Sequence, residues 1–100
     1  MNIFNGKKTP AWGTETFSTL FENENITIEH IQSHQFKNGE WYNQENIEWV
    51  FLAKGEASIE FETHTQTLIT GDYLLIKAHQ RHRVISTSHD AHWIALHVKQ

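Results

Sequence analysis

The clearest alternation in the chain lies between Ala57 and Glu62, where Ala57, Ile59 and Phe61 interleave with Ser58, Glu60 and Glu62. Successive residues of a strand point to opposite faces, so this spacing predicts a strand with one face buried. Ile47–Lys54 (IEWVFLAK) is the most strand-like stretch of all, and Ile26–Gln32 (ITIEHIQ) is rich in β-branched residues and alternates in part. Thr14–Phe21, Thr67–Thr70, Tyr73–Ile76, His82–Thr87 and His92–Val98 are the remaining expected strands. Turn clusters separate them: Asn23-Glu24-Asn25, Asn38-Gly39, Lys54-Gly55-Glu56, Thr63–Gln66, Gly71-Asp72, Lys77–Arg81 and Ser88-His89-Asp90. No window sustains a helical period. Short strands with a turn signal every eight to twelve residues or so predict an all-β chain, a small antiparallel barrel or sandwich.

Length and composition narrow the picture. One hundred residues make one domain. Residues 1–15, which carry Asn, Gly, Lys and the single proline, Pro10, read as an N-terminal arm, and residues 16–100 as the β-barrel domain. The apolar runs are too short to cross a bilayer, and Met1–Leu20 has no apolar core of a signal peptide, so a cytoplasmic location with no membrane partner is expected. The absence of cysteine excludes disulfides and zinc-thiolate sites. A net charge of -4, with the basic residues scattered except at Lys7-Lys8 and Arg81/Arg83, excludes a nucleic-acid backbone as partner. Nucleophile-elbow, P-loop and dinucleotide fingerprints are absent.

Candidate chemistry centres on Gly71–Val84 (GDYLLIKAHQRHRV), where a turn delivers His82 to the start of a strand and so aims an imidazole into a small barrel. Glu48 opens the Ile47–Lys54 strand on the same face as Val50 and Leu52. A carboxylate on an apolar face needs a partner, because an unpaired buried charge is costly. His82 can be that partner, as imidazolium or through a metal.

The spacing of these residues resembles the cupin family, specifically its small single-domain bacterial members. Glu48 and Gly55 stand with six residues between them, as the second half of the family's first motif requires, and Gly71 and His82 stand at the separation of its second motif. Lys77 replaces that motif's Pro, His79 its Gly and Ser86 its Asn. The resemblance implies a double-stranded β-helix, or jelly-roll barrel. In metal-binding members the ligands are the two His of a His-x-His, the Glu and the later His. Here the His-x-His slot falls on Tyr42 and Gln44 or on Trp41 and Asn43, so the family's ligand set is incomplete.

Gln44 or Asn43 can offer an amide oxygen to a metal or hydrogen bonds to a small molecule. His79 can converge with His82 across their turn, and Trp41 and Tyr42 can form an aromatic wall. His97 has two readings. Its strand carries a fully apolar face (Ile94, Leu96, Val98), whose burial would turn His97 outward; otherwise Trp93, Ala95 and His97 line the cavity and His97 becomes a replacement ligand. His30, His34, His64 and His89 lie in or beside turns and read as surface residues. The expected metal set is therefore Glu48, His82, His97 and Gln44, with a divalent Zn, Ni, Mn or Fe. The expected ligand-binding set is Tyr42, Asn43, His79 and Trp41.

Two functions follow: a small cupin-like protein binding a divalent metal, a small polar ligand or both in its barrel, or a metal-free small-molecule binding or sensing module. Whether either catalyses a reaction is open. Trp49 and Phe51 share the face opposite Glu48 and need a cover, and a homodimer through that face is expected.

Overall fold

Alternating side chains fold the chain into two facing sheets. A computed structural model describes residues 1–5 and 8–99; Gly6, Gln100 and Lys7 (one half of the Lys7-Lys8 concentration) lie outside the described residues. Among the described residues there are eight strands and no helix: β1 (Thr14–Glu22), β2 (Ile26–His34), β3 (Ile47–Lys54), β4 (Glu56–Phe61), β5 (Thr65–Ile69), β6 (Tyr73–Ile76), β7 (His82–Thr87) and β8 (Ala91–Val98). They form a five-stranded sheet, β1-β2-β8-β3-β6, and a three-stranded sheet, β5-β4-β7. All pairings are antiparallel. No helix is long and apolar enough to cross a membrane. The two-sheet, all-antiparallel arrangement is the expected jelly roll.

The core fills the space between the sheets. β4 contributes Ala57, Ile59 and Phe61 as its alternation predicts, and Val50, Leu52, Leu68, Ile76, Ala91, Trp93 and Ala95 meet them. The fully apolar face of β8 is not the buried one. Cross-strand partners point the same way, and β8 pairs with β3 so that His97 lies opposite Glu48, Ala95 opposite Val50 and Trp93 opposite Leu52. The inward face of β3 sets the facing of β8. Ile94 and Leu96 therefore turn to the outside of the large sheet, and Trp93, Ala95 and His97 turn in.

The N-terminal arm crosses the outer face at one corner. Phe4 meets His92 edge-on with ring centroids 5.0 Å apart, and Trp12 meets His34 in the same way at 5.3 Å. The His34 Nδ1–H donates to the Pro10 carbonyl at 2.8 Å. At that corner His30, expected at the surface, is 1 % exposed. Its Nε2 lies 2.9 Å from His92 Nδ1, with the two rings stacked.

The segment between β2 and β3 lies along the free edge of β7. Gly39 N–H donates to the Val84 carbonyl at 2.8 Å, and isolated bridges join Lys37 to Ser86 and Tyr42 to His82. Asn38-Gly39 thus belongs to an edge cover, not to a hairpin. Gly55 has a stricter role between β3 and β4. Its φ is +100°, and a Cβ there would lie 2.6 Å from Ser88 Oγ and 2.9 Å from Ala91 Cα. The left-handed turn and the close approach both exclude a side chain.

Candidate functional site

At one end the sheets part around a cavity of about 260 Å³. The large sheet lines it from β1 (Glu15, Phe17), β2 (Glu29, Ile31), β3 (Glu48, Val50) and β8 (Trp93, His97); Ile59 of β4 and His82 and Val84 of β7 close it from the small sheet. Tyr42 and Gln44 complete the wall.

His82 is fixed from three directions. Its backbone N–H donates to the Tyr42 carbonyl at 3.1 Å, and its carbonyl accepts from Tyr42 N–H at 2.8 Å. Its ring Nδ1–H donates to the Gln80 carbonyl at 2.9 Å. That bond directs Nε2 into the cavity, 3.6 Å from a Glu48 carboxylate oxygen. The separation exceeds a hydrogen bond, so the attraction is that of an ion pair. Both side chains are buried. Burial alone would depress the His82 pKa; the Glu48 carboxylate and the Gln80 carbonyl together outweigh it and hold the imidazole above its ordinary value.

The other oxygen of Glu48 lies 3.8 Å from His97 Nε2. That nitrogen sits 3.0 Å from Glu29 Oε1, to which it donates. Glu29, His97, Glu48 and His82 thus form one chain of alternating carboxylates and imidazoles across the floor. Glu15 stands apart on β1. Its carboxylate accepts the Ser33 hydroxyl, which in turn accepts the Trp93 indole N–H at 3.2 Å. Burial raises the Glu15 pKa, and the Ser33 bond offsets only part of the rise. The Tyr42 pKa is raised as well, by burial first and then by Glu15, Glu40 and Glu48.

Gln44 also lines this space. Its amide oxygen, Oε1, is buried without a hydrogen-bond partner among the described residues. Its backbone carbonyl accepts from His79 N–H at 2.7 Å, which ties the wall to the β6–β7 turn.

The structure brings Glu48, His82, His97, Gln44 and Tyr42 together on the cavity. Trp41, Asn43 and His79 sit elsewhere. Trp41 lies beneath the guanidinium groups of Arg81 and Arg83, 4.7 and 5.0 Å from its ring centre. Asn43 Oδ1 and His79 Nδ1 meet at 3.1 Å on the exposed rim. Glu15 and Glu29 also line the cavity, with Ser33 behind Glu15, though sequence reasoning did not single them out. The signal lay in register: opposite the inward face of β8, β2 carries Glu29, Ile31 and Ser33.

A metal ion fits this arrangement poorly. Among the described residues no group of three or more His, Cys, Asp or Glu converges to hold one. His82 and His97 face the Glu48 oxygens at ion-pair separations rather than a common point, and the Gln44 amide is a weak ligand. What the site offers is hydrogen-bond acceptors in a partly apolar enclosure.

Comparison with known proteins agrees with the fold. The family model described as "Cupin domain" matches residues 27–98. A protein of Ralstonia eutropha JMP134, provisionally assigned as a mannose-6-phosphate isomerase, is 33% identical, covers 100% of this chain and 97% of its own, and superposes with a TM-score of 0.87. KdgF from Halomonas sp. shares 15% identity with a TM-score of 0.79, covering 86% of this chain and 79% of its own. A cupin superfamily protein of Desulfitobacterium hafniense DCB-2 shares 18% identity with a TM-score of 0.76, covering 91% and 83%. At such identities the last two speak for the fold alone. No curated protein matches the chain.

Proposed function

Because the chain belongs to the cupin domain family, and its barrel end encloses a cavity lined by both polar and apolar side chains, we propose that it binds a small polar organic molecule between its sheets, with no metal required. The observation that carries this reading is a cavity of about 260 Å³ lined by polar side chains (Glu15, Glu48, Gln44, His82) and apolar ones together. Glu48, His82 and His97 are the polar anchors; Phe17, Ile31, Val50 and Trp93 hold the ligand's apolar surface. Such mixed linings are the usual form of small-molecule sites.

The relative assigned as a mannose-6-phosphate isomerase suggests a phosphorylated sugar. The lining argues otherwise. Phosphate is held by Arg, Lys or backbone N–H groups, and among the described residues no Lys or Arg lines this cavity, while Glu15, Glu29 and Glu48 do.

A divalent ion (Zn, Ni, Mn or Fe) is the second reading. One observation favours it: the Gln80 carbonyl fixes His82 in the tautomer whose Nε2 faces inward, as metal-ligating imidazoles are fixed. Native mass spectrometry and elemental analysis of the purified protein, with Glu48→Ala and His82→Ala beside it, separate the two. A retained organic molecule, lost in both variants and unaccompanied by metal, is the expected result. Stoichiometric metal lost in both variants would overturn it in favour of the second reading.

We also infer a homodimer through the outer face of the large sheet. Register places Phe21, Ile28, Leu96, Trp49 and Leu75 side by side across all five strands. Ile94, Phe51 and Tyr73 run beside them, with Trp49 stacked on Phe51 at 5.9 Å. Tyr73 is 66% exposed and Leu75 52%. The ring contacts of the arm go to His92 and His34 instead. A self-complementary apolar sheet face suits a second copy.

A further inference from the structure

The chemistry of the cavity wall goes further than the presence of a ligand. Three carboxylates, Glu15, Glu29 and Glu48, face the space, against two imidazoles, His82 and His97. With every one of these groups charged, the balance is still negative by one. One acceptor is left over: Glu29 and Glu48 face imidazoles, whereas among the described residues Glu15 meets the Ser33 hydroxyl and no cation. The aromatic residues Phe17, Tyr42 and Trp93 also line the space, and aromatic rings attract cations through their quadrupoles.

A ligand complementary to such a wall donates hydrogen bonds and carries positive charge. An inorganic cation would leave the apolar lining unused and finds no converging donor set among the described residues. A neutral polyol would leave the carboxylate surplus uncompensated, and an anion would be repelled by it. We propose that the molecule is a small primary amine: an ammonium head at the Glu15 carboxylate, and an apolar or aromatic body against Phe17, Ile31 and Trp93. The proposal rests on the reading of the cavity as a small-molecule site, and it names the ligand class.

Three probes of similar size share a phenyl body and differ in the charge and hydrogen-bonding of the head group: 2-phenylethylamine, 2-phenylethanol and phenylacetate. Each is titrated into the full chain at neutral pH by calorimetry, with the Trp93 indole N–H resonance read in parallel. The amine is expected to bind at least about tenfold more tightly than the alcohol, and to shift the Trp93 signal, because loss of a partly buried charge partner typically costs that much or more. Phenylacetate is expected to bind weakest. Glu15→Gln keeps the Ser33 contact and the fold, and should weaken the amine about tenfold while leaving the alcohol unchanged.

An alcohol or carboxylate that binds as tightly as the amine, or an amine that does not bind, overturns the proposal. If 2-phenylethanol shifts the Trp93 indole in that case, the cavity remains a small-molecule site and only the ammonium is lost. Amine binding that leaves Trp93 unmoved places the amine on the acidic surface and overturns the proposal and the cavity reading together.

Discussion

Glu48 on the large sheet and His82 on the small one face each other across the interior, carboxylate oxygen to Nε2, at 3.6 Å. The pair ties the two sheets together at the end where they part, and so holds the cavity to its shape. Neither group has a comparable charge partner on its own strand. The dependence is mutual, and it should be visible from both sides.

The His82 imidazole is held above its ordinary value, near 6.5, although burial pulls it down, because the Glu48 carboxylate and Gln80 carbonyl prevail. A raised pKa stabilises the fold fully below the unfolded value, and that contribution fades as pH rises through the folded one. Stability should therefore decline as pH climbs above about 6.5. In Glu48→Gln the NMR titration midpoint of His82 should fall, and the alkaline decline in denaturant stability should vanish. An unchanged midpoint would show that the carboxylate is not what charges the ring.

His92 behaves oppositely. Burial first, and then the nearby Lys54 ammonium, hold its pKa down, against a weaker pull from Asp90. His34, His89 and Asp90 border the same corner. A depressed histidine is protonated more readily unfolded than folded, so stability is lost as pH falls from about 6.5 toward the folded value. Protonation also ends the 2.9 Å contact with His30, in which one ring must accept. His92→Phe keeps a ring against Phe4 and should flatten the acid limb of a melting-temperature profile. A limb of unchanged slope in that variant would place the acid sensitivity elsewhere.

Much of this was legible in the chain. The alternation of Ala57, Ile59 and Phe61 fixed β4 and its buried face because side-chain period is a local property. The Glu48–Gly55 and Gly71–His82 spacings located the loops that bring Glu48 and His82 together, because turn lengths are local too. What strands do to one another is not local. Trp93, Ala95 and His97 face inward only because β3 pairs with β8 in one register, and no periodicity within β8 could outweigh its more apolar face. Glu15 and Glu29 carry no site signal of their own for the same reason. His30 reads as a surface residue until the arm lies across its corner of the sheet.

His79 stands where the resembled motif carries Gly, and the backbone shows why the motif prefers it. Its φ is +62°, in the turn closed by Gln80 N–H donating to the Lys77 carbonyl at 3.1 Å. A side chain in that left-handed region is strained. His79→Gly should raise stability by about 1 kcal/mol in urea unfolding, even with the exposed contact to Asn43 gone. Affinity for the cavity ligand should not change, since His79 lies on the rim. A loss of ligand binding would return His79 to the site.

The outer face of the large sheet gives the last test, and it is independent of the cavity because alternation turns Trp49 and Leu75 away from Glu48 and Ile76. If a second copy covers the row from Phe21 to Leu75, light scattering after gel filtration should return twice the mass of the 11.7 kDa chain. Trp49→Lys places a charge inside that row, between Leu96 and Leu75. Buried aromatic residues of such interfaces commonly contribute about 2–4 kcal/mol, so the dimer should dissociate about 30- to 1,000-fold more readily. Tyr73→Lys lies toward the edge strand β6 and should act in the same direction more weakly. Both variants should keep the cavity, which circular dichroism and the Trp93 indole resonance can verify. A wild-type chain that remains monomeric at tens of micromolar would leave the apolar row without this partner, whatever the variants do.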